Sequence, residues 1–448
     1  MTIKELYKLY QQHPCITTDS RDCPEGSIFL ALKGDRFDGN LFAGKALQQG
    51  CSYAIVERSA ALSLQGADDR LIVVDDTLQT FKDLAREHRR QFDIPVIGIT
   101  GTNGKTTTKE LIAAVLQQRY NVLFTQGNFN NDVGVPKTLM RLTADHDIAV
   151  IEMGASHPGD IKTLAATAEP TCGLITNVGR AHLQGFGSFK NVVKTKGELY
   201  DFLSQRGESL VFINVDNERL MNILPDNVWV APYSTNIDNV EGCTVGEVVA
   251  CNPFLKFRWR ESDTNLEEKG QQTAPIWYDV QTQLIGSYNI DNLMAAIAVG
   301  LNFGVEPEAI NCALEAYKPS NNRSQLTVTE KNHLVVDAYN ANPSSMRAAL
   351  ENFRLMDASP KMAILGMMGE LGKSSQKEHQ KIVDFIATLN LDEVWLVGSE
   401  FQQIDCPYRK FADVDEVKAA IQAEQPHDRY ILIKGSNSTK LYQLPELL

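Results

Sequence analysis

A glycine-rich turn between an apolar strand and a helix limits the possible folds of this chain more than any other feature. Residues 96–110 read VIGITGTNGKTTTKE. The usual phosphate loop is G-x-x-x-x-G-K-[ST], and its first glycine is replaced here by Ile99. Gly101 and Gly104 still allow a tight turn whose N–H groups face an anion at the positive end of the helix. The stretch predicts a nucleotide site of different glycine spacing, with a plain strand–turn–helix connection as the alternative.

Residues around this turn could complete a nucleotide and metal site. Lys105 can reach the β- and γ-phosphates, and the Thr106 hydroxyl can hold Mg²⁺. Glu152 ends the apolar strand DIAVIEMG, where a carboxylate beside a phosphate loop is a usual Mg²⁺ ligand. His182 follows the strand in LITNVGRAH, and from spacing alone it is either a ligand or a structural histidine.

The segment FKNVVKTKGELYDFL contains a lysine on an unexpected helix face. Read as a helix, it places Lys190, Lys194 and Glu198 on one side, at spacings of four. Lys196 falls on the other side, with the apolar residues Val192, Val193, Leu199, Tyr200 and Leu203. A bare ammonium is costly there. Lys196 therefore snorkels to solvent, meets an anion or is chemically altered.

Length and composition indicate a multidomain globular protein. The 448 residues suggest about three domains at roughly 150 residues each. A net charge of −13 argues against broad nucleic-acid binding. There is no apolar run of about 18 residues for a membrane span and no secretion signal. The eight cysteines form no C-x-x-C pair, which favours reduced thiols and a cytoplasmic location.

Strand and helix patterns predict an α/β protein with three regions, 1–93, 94–317 and 318–448. The first alternates short apolar runs with helical stretches. In the second, strands and helices alternate as in a parallel sheet, interrupted by a β insertion at 240–283. LIGSYNIDNLMAAIAVGLNFG then returns to helix. After the polar hinge YKPSNNRSQ, four strands (HLVVDAY, KMAILG, EVWLVG, YILIKG) and intervening helices predict a second doubly wound domain.

These residues together resemble the Mur ligase family, ATP-dependent amide-bond-forming enzymes of cell-wall precursor synthesis. GTNGKTT matches the family's loop variant, and the likeness runs nearly end to end. The segments TDSRDCPEGSIFLALKGDRFDGN, TQGNFNNDVGVPKTL, DAYNANPSSMRAAL and ILIKGSN resemble the branch that joins D-alanyl-D-alanine to UDP-N-acetylmuramoyl-tripeptide. The resemblance implies a UDP-sugar-peptide-binding domain, a central P-loop ATPase domain and a C-terminal Rossmann-like ligase domain. It also implies a cytoplasmic enzyme, which we expect to be a monomer.

The resemblance also implies roles at matching positions. Lys105, Glu152, His182 and Lys196 would be catalytic, and Lys196 would be carbamylated by CO₂. Thr106, Glu152, His182 and Lys196 would contact Mg²⁺. ATP would be bound by Gly101, Thr102, Asn103, Gly104, Lys105, Thr106, Thr107, Asn289, Asn292, Arg323 and Asp337. The sugar peptide and the acceptor dipeptide would be bound by Ser20, Arg21, Gly34, Asp38, Gly39, Asn128, Asn130, Asn131, Tyr339, Asn340, Asn342, Lys434 and Ser436.

Two positions depart from the family pattern. Tyr288 stands where the family usually has the histidine of G-x-H-N, and Met367 replaces the acid of LGDM. An aromatic ring can still pack on adenine, whereas Met367 cannot supply the charge of the acid that the pattern has at this position in the C-terminal domain.

Other functions are compatible with parts of the pattern. They are the neighbouring ligase that adds the third amino acid, folylpolyglutamate synthetase, a non-catalytic P-loop regulator and a precursor sensor. DAYNANP in place of a D-N-P-R or D-N-P-A motif argues against the first. The DSR…DGN segment argues against the second.

Overall fold

The computed structural model describes residues 1–34, 37–61, 68–238, 242–261, 276–319, 323 and 325–448. Parts of the predicted insertion (240–283), of the hinge (317–325) and of the DSR…DGN segment fall outside these ranges. No helix in the described part of the chain is long and apolar enough to cross a bilayer.

The N-terminal part is a small parallel sheet in the order β1-β2-β5-β6, with a separate antiparallel pair, β3-β4. The strands are β1 (Ile16–Thr17), β2 (Ile28–Leu30), β3 (Lys33–Gly34), β4 (Phe37–Asp38), β5 (Tyr53–Glu57) and β6 (Leu71–Val74). The helices are Ile3–Gln12, Ala43–Gln48, Arg58–Ala61 and Thr77–Arg89, with a 3₁₀ turn at Gly39–Phe42. Thr2 begins the first helix as a capping box with Glu5.

The central part is a larger sheet in the order β15-β14-β13-β12-β11-β10-β7-β9-β8. The strands are β7 (Val96–Thr100), β8 (Val122–Phe124), β9 (Ile148–Glu152), β10 (Cys172–Ile175), β11 (Leu210–Asn214), β12 (Trp229–Ser234), β13 (Thr244–Cys251), β14 (Phe254–Arg260) and β15 (Tyr278–Ile285). The helices are Lys105–Leu116, Gly134–Leu139, Asp160–Ala168, Leu183–Phe186, Phe189–Arg206, Glu218–Met221, Ile290–Asn302 and Pro307–Ala316, with a 3₁₀ turn at Ser287–Asn289. The pairing is parallel from β8 to β13 and antiparallel from β13 to β15.

Both faces of this sheet are covered by apolar packing, as a parallel sheet requires. Leu111, Ile112, Val115 and Leu116 are fully buried on one face, as their spacing predicts. Within the described residues, β13–β15 form the predicted meander. The helix predicted from LIGSYNIDNLM begins only at Ile290, because Leu284 and Ile285 still belong to β15.

The C-terminal part is a sheet in the order β16-β17-β21-β18-β19-β20, parallel except at β16. The strands are β16 (Gln325–Val328), β17 (His333–Asp337), β18 (Lys361–Gly366), β19 (Glu393–Val397), β20 (Arg409–Phe411) and β21 (Tyr430–Lys434). The helices are Pro343–Leu355, Ser375–Ile386, Ser399–Gln402 and Val414–Glu424, with 3₁₀ turns at Gly372–Ser374, Asn437–Thr439 and Leu441–Gln443. The four predicted strands are confirmed. The sequence prediction missed β16 and β20, which are edge strands with little apolar patterning.

The three larger sheets and the β3-β4 pair fall within the three predicted regions, whose boundaries at 93 and 317 stay predictions. In the central and C-terminal sheets, the carboxyl ends of parallel strands supply loops to the same cleft. This is the edge at which open α/β sheets bind ligands.

Candidate functional site

The predicted phosphate loop joins β7 to the helix Lys105–Leu116. Gly104 precedes the helix at φ +80°, and Gly101 has φ +144°, both in the region that favours glycine. A Cβ on Gly104 would lie 2.5 Å from Asn292 Oδ1. A Cβ on Gly101 would lie closer still, 2.0 Å from Thr176 Oγ1, so both glycines are required by backbone conformation and by close packing.

Neighbouring polar residues after β10 fix the conformation of the loop. The Thr102 N–H donates to the Asn177 carbonyl at 2.9 Å, and the Asn103 N–H donates to Asn177 Oδ1 at 3.0 Å. Thr176 Oγ1 donates to the Asn103 carbonyl at 2.6 Å. Asn177 was not predicted as a site residue, although it follows the end of the strand in LITNVG, which offered a positional signal.

Lys105 folds back over the loop. Its Nζ donates to the carbonyls of Gly101 at 3.0 Å and Thr102 at 3.1 Å. Burial lowers the pKa of Lys105, while the nearby Glu152 carboxylate acts in the opposite direction. A phosphate group entering the loop would therefore meet a desolvated cation, where charge–charge attraction is stronger than in water.

Glu152 is arranged as a metal ligand would be. It ends β9, and its Oε1 accepts from Thr106 Oγ1 at 3.2 Å and from Asn130 Nδ2 at 2.7 Å. Its Oε2 is buried with no hydrogen-bond partner among the described residues. Buried carboxylate oxygens are normally satisfied, so this one needs a ligand. With the Thr106 hydroxyl, it offers the oxygen donors that Mg²⁺ prefers.

His182 lies at the opening of the same cleft with φ +50°. Its Nδ1 contacts the carboxylate of Glu370, which comes from the C-terminal part. This contact lowers the pKa of Glu370, with smaller contributions from charges that include His157. The described residues contain no cluster of three or more His, Cys, Asp or Glu side chains able to hold a metal alone. A metal here would need other ligands as well, such as hydroxyls or phosphate oxygens.

Lys196 is buried, as its helix position predicted, with 2% of its surface exposed. It lies on the helix Phe189–Arg206, with its Nζ 5.9 Å from the centre of the Phe186 ring. No carboxylate among the described residues comes within ion-pair distance of it. Burial lowers the pKa of Lys196 well below its usual value, and the charge of Lys105 adds to this effect. The snorkelling alternative is therefore wrong for this side chain.

The predicted nucleotide residues of the central and C-terminal parts meet across the cleft. Asn292 Nδ2 donates to Asn289 Oδ1 at 2.8 Å, which fixes both amides. The Arg323 guanidinium stacks 4.0 Å from the centre of the Tyr339 ring. Elsewhere in the cleft, Lys434 Nζ donates to Asp337 Oδ2 at 2.5 Å and to the Asn340 carbonyl at 3.3 Å.

A cavity of about 720 Å³ brings most of the predicted residues together. Those lining it are Thr102, Asn103, Gly104, Lys105, Thr106, Thr107, Asn128, Asn130, Asn131, Glu152, His182, Asn289, Asn292, Arg323, Asp337, Tyr339, Asn340 and Lys434. Further lining residues that the sequence did not single out for the site include Asp132, Ser156, His157, Asp160, Asn177, Asp291, Ser344, Ser345 and Glu370.

Other predicted residues do not line the cavity; they are Gly101, Lys196, Asn342, Ser436, Ser20, Arg21, Gly34, Asp38 and Gly39. Asn342 lies just behind it, where its Nδ2 donates to Asn103 Oδ1 at 2.7 Å. The last five belong to the N-terminal part, in which Arg21 pairs with Asp19 and Asp38 accepts from the Asn40 N–H. Their assignment to the sugar peptide stays a prediction.

The two departures from the family pattern have different surroundings. Tyr288 lines the cavity beside Asn289. Met367 is held by its backbone, whose N–H donates to the Val397 carbonyl at 2.9 Å. Its thioether accepts a long contact from Ser399 Oγ at 3.8 Å. Met367 therefore packs within the C-terminal part.

Comparison with known proteins agrees with this architecture of a P-loop domain between two further α/β domains. Three family models match consecutive parts of the chain. They are described as "Mur ligase family, catalytic domain" at residues 14–89, "Mur ligase middle domain" at 99–300 and "Mur ligase, glutamate ligase domain" at 322–437. The chain belongs to the Mur ligase family.

Individual relatives match over nearly the whole length. The UDP-N-acetylmuramoyl-tripeptide--D-alanyl-D-alanine ligase of Escherichia coli K12 is 34% identical over 445 residues, covering 97% of this chain and 93% of the relative. The enzyme of the same name from Bacillus subtilis 168 is 32% identical, covering 96% and 92%. Among solved structures, MurF from Acinetobacter baumannii superposes with a TM-score of 0.85 at 28% identity, covering 99% and 98%. MurF ligase from Thermotoga maritima in complex with ADP gives 0.84 at 25% identity, covering 97% of each chain.

Proposed function

We propose that this protein is the ATP-dependent ligase that joins D-alanyl-D-alanine to UDP-N-acetylmuramoyl-tripeptide, which completes the pentapeptide precursor of peptidoglycan. The observation that carries the proposal is the cavity in which Lys105, Thr106 and Glu152 face residues of the C-terminal part. The names of the relatives, which match along nearly the entire chain, support this choice of substrates. A UDP-linked substrate and ATP fit a cytoplasmic reaction, and we expect a monomer.

The chemistry follows from the weakness of a carboxylate as an electrophile. The terminal carboxylate of the tripeptide attacks the γ-phosphorus of ATP, and ADP leaves. The resulting acyl phosphate has a good leaving group. The amine of D-alanyl-D-alanine attacks its carbonyl carbon, loses a proton to a base or to solvent, and phosphate leaves as the amide forms. The protein contributes mainly positioning and neutralisation of charge.

Individual side chains have distinct parts in this scheme. Lys105 and the N–H groups of the loop hold the phosphates. Glu152, through its unpartnered Oε2, and the Thr106 hydroxyl would hold Mg²⁺, with His182 as a further ligand. The bound metal would supply charge neutralisation between the phosphate oxygens. Asn289, Asn292 and Tyr288 would surround the adenine. Arg323 and Asp337 would reach the nucleotide from the C-terminal side.

Lys196 would act as a carbamate. Burial lowers the pKa of this amine and so raises its neutral fraction, and a neutral amine can attack CO₂. The new N–C bond forms as the nitrogen loses a proton to solvent, which leaves an anionic carbamate. That anion could bind metal and would lie among groups that include the Lys105 cation. A buried lysine with no carboxylate partner in the described structure supports this modification.

The remaining predicted residues divide between the two other substrates. We propose that Ser20, Arg21, Gly34, Asp38 and Gly39 bind the UDP-sugar. Asn128, Asn130 and Asn131 would extend that site along the cavity towards Glu152. Tyr339, Asn340, Asn342, Lys434 and Ser436 would form the acceptor pocket. Three domains would then each carry one substrate, and closure would bring the reacting groups together and exclude water.

The test is phosphate release from ATP and Mg²⁺ with UDP-N-acetylmuramoyl-tripeptide, with and without D-alanyl-D-alanine. Release that requires the dipeptide and is not supported by a free diamino acid is the expected result. Release only with a diamino acid and a precursor one residue shorter would assign the chain to the neighbouring ligase. ATP binding without release under either condition would contradict catalysis and favour a regulator.

A further inference from the structure

A short segment of the C-terminal part reaches into the central part beside the nucleotide loop. The Gln184 N–H donates to the Glu370 carbonyl at 3.1 Å. Gly372 packs against Gln184 so closely that an added Cβ would lie 3.3 Å from its side chain. The carboxylate of Glu370 contacts Nδ1 of His182. Both the backbone and the side chains of this segment therefore contact the start of the helix Leu183–Phe186.

Both partners in the carboxylate–imidazole contact adopt a rare backbone conformation. Glu370 has φ +60° and His182 has φ +50°. For residues with a side chain this region costs about 1 kcal/mol or more, and it persists where the surroundings demand it. Such outliers concentrate at functional sites. Here they turn the two side chains towards each other across the boundary between the domains.

The contact determines what His182 presents to the cavity. Nδ1 lies within ion-pair distance of the Glu370 carboxylate but has no aligned hydrogen-bond partner among the described residues. Once Nδ1–H donates to that carboxylate, the lone pair lies on Nε2, and ring orientation and tautomer are both fixed. Nε2 is then the nitrogen left for a ligand in the cavity that also holds Lys105, Thr106 and Glu152. Histidines that bind metals commonly have such a carboxylate behind them. In this chain the carboxylate and the histidine come from different domains.

We propose that Glu370 is a positioning residue that orients His182 for Mg²⁺ only when the C-terminal domain is docked. This inference rests on the proposed Mg²⁺–nucleotide function. It predicts that docking and metal affinity are thermodynamically linked, because the docked form alone supplies the carboxylate. Premature hydrolysis of ATP in the undocked form would be limited for the same reason.

The experiment measures the binding of a non-hydrolysable ATP analogue by calorimetry while free Mg²⁺ is varied. Glu370→Ala should raise the Mg²⁺ concentration for half-maximal binding by about 10-fold, the usual effect of losing a carboxylate behind a ligating histidine. Glu370→Gln should have a smaller effect, because its amide oxygen can accept from Nδ1–H. Binding of the analogue in chelator, without metal, should match that of the unmodified chain.

A matched control separates orientation of His182 from docking itself. Glu378 lies on the helix Ser375–Ile386, accepts from Lys381 at 2.7 Å and lies 3.9 Å from Arg180 of the central part. It is therefore a second carboxylate at the same domain boundary that does not touch His182. Glu378→Gln should leave the Mg²⁺ dependence unchanged. In a His182→Gln background, Glu370→Ala should add no further effect.

The outcomes separate the inference from the proposed function. A normal Mg²⁺ dependence in Glu370→Ala, an equal shift in Glu378→Gln, or additive effects with His182→Gln would each overturn the role of Glu370. If Glu370→Ala does not fold, as judged by thermal unfolding, the test uses Glu370→Gln instead, and the inference then requires its smaller shift in the Mg²⁺ concentration for half-maximal binding. Nucleotide binding that is independent of Mg²⁺ in the unmodified chain would contradict the proposed function itself.

Discussion

At the scale of single residues, buried ionisable groups are the most informative feature of this protein. Lys196 and Glu152 are buried and Lys105 is partly buried, and they lie close enough for their charges to influence one another. Removing charges from water is costly unless partners compensate. A fold that places such groups around one cleft is suited to binding a polyanion together with a cation.

Replacing Lys196 by alanine should abolish most ligase activity. The change removes the only nitrogen at this buried position that could form the carbamate. Added short carboxylic acids should restore part of the phosphate release, because a free carboxylate can occupy the vacated volume. Lys194→Ala, on the opposite helix face, is the matched control and should keep normal activity. Full activity of Lys196→Ala, or no response to any carboxylic acid, would contradict the carbamate.

Asp291 should make the protein less stable as the pH rises. Burial, reinforced by Asp216, raises the pKa of this carboxyl to about 6, although Asn214 Nδ2 donates to it at 3.1 Å. The folded state therefore holds the proton more tightly than the unfolded state, whose pKa is about 3.9. Stability should fall as the pH rises from about 4 to 6, by on the order of 2–3 kcal/mol in total, and then stay level.

Asp291→Asn should remove this dependence. The amide can still accept from Asn214 and carries no charge to bury. Its thermal midpoint should exceed that of the unmodified chain at pH 8 and converge with it near pH 4. Equal midpoints at pH 8 would show that the ionised carboxylate is accommodated without cost.

At the scale of elements, the turn before the helix Lys105–Leu116 is the decisive local structure. The chain contains a close internal match. Gly159 precedes the helix Asp160–Ala168 at φ +89°, ψ −10°, and Gly104 has φ +80°, ψ −10°. The two differ in packing, since a Cβ on Gly159 would meet nothing within 4 Å.

Alanine substitutions at Gly159 and Gly104 separate the effect of backbone strain from the effect of close packing. Gly159→Ala should cost about 1 kcal/mol, from the left-handed conformation alone, and should preserve ATP binding. Gly104→Ala should cost more and should abolish ATP binding, because its Cβ would press on Asn292 Oδ1. Thermal unfolding and calorimetry with ATP provide the measurements. Equal losses in both variants would mean that strain alone governs this turn.

At the scale of the whole molecule, polar contacts connect the three parts around the cleft. Lys82, on the N-terminal helix Thr77–Arg89, donates to Asp132 Oδ2 at 2.9 Å. Asp132 lines the cavity beside Asn130 and Asn131. The Asn342–Asn103 hydrogen bond joins the C-terminal part to the phosphate loop. Substrate sites predicted in separate regions of sequence are thereby connected.

Lys82→Met should therefore affect the sugar peptide more than ATP. Loss of this partly buried ion pair, at about 1 kcal/mol, should raise KM for UDP-N-acetylmuramoyl-tripeptide about fivefold and leave the Kd for ATP unchanged. Arg86→Met is the control, because Arg86 pairs with Asp83 within its own helix. An effect on the Kd for ATP, or an equal effect of Arg86→Met on KM, would contradict a specific link between Lys82 and the segment that contains Asp132.

Sequence alone determined the features that depend on local chemistry. The loop after β7, the burial of Lys196 and the four inner strands of the C-terminal sheet followed from glycine placement and hydrophobic period. The edge strands β16 and β20 did not, because an edge has fewer neighbours to impose an apolar pattern. The position of Glu152 at the end of a buried strand beside the loop was predictable, and its role as a metal ligand stays a prediction.

Only the tertiary structure decided which distant residues meet. Glu370 has no local signature of function, and Asn177 and Asp132 offer only a position within recognised segments. Each acquires its contact from a partner more than 40 residues away. Glu370 contacts His182 across the boundary between two domains, and the sequence of neither domain indicates how the two are oriented. Local propensities are written into neighbouring residues, whereas a site between domains depends on packing that no short segment encodes.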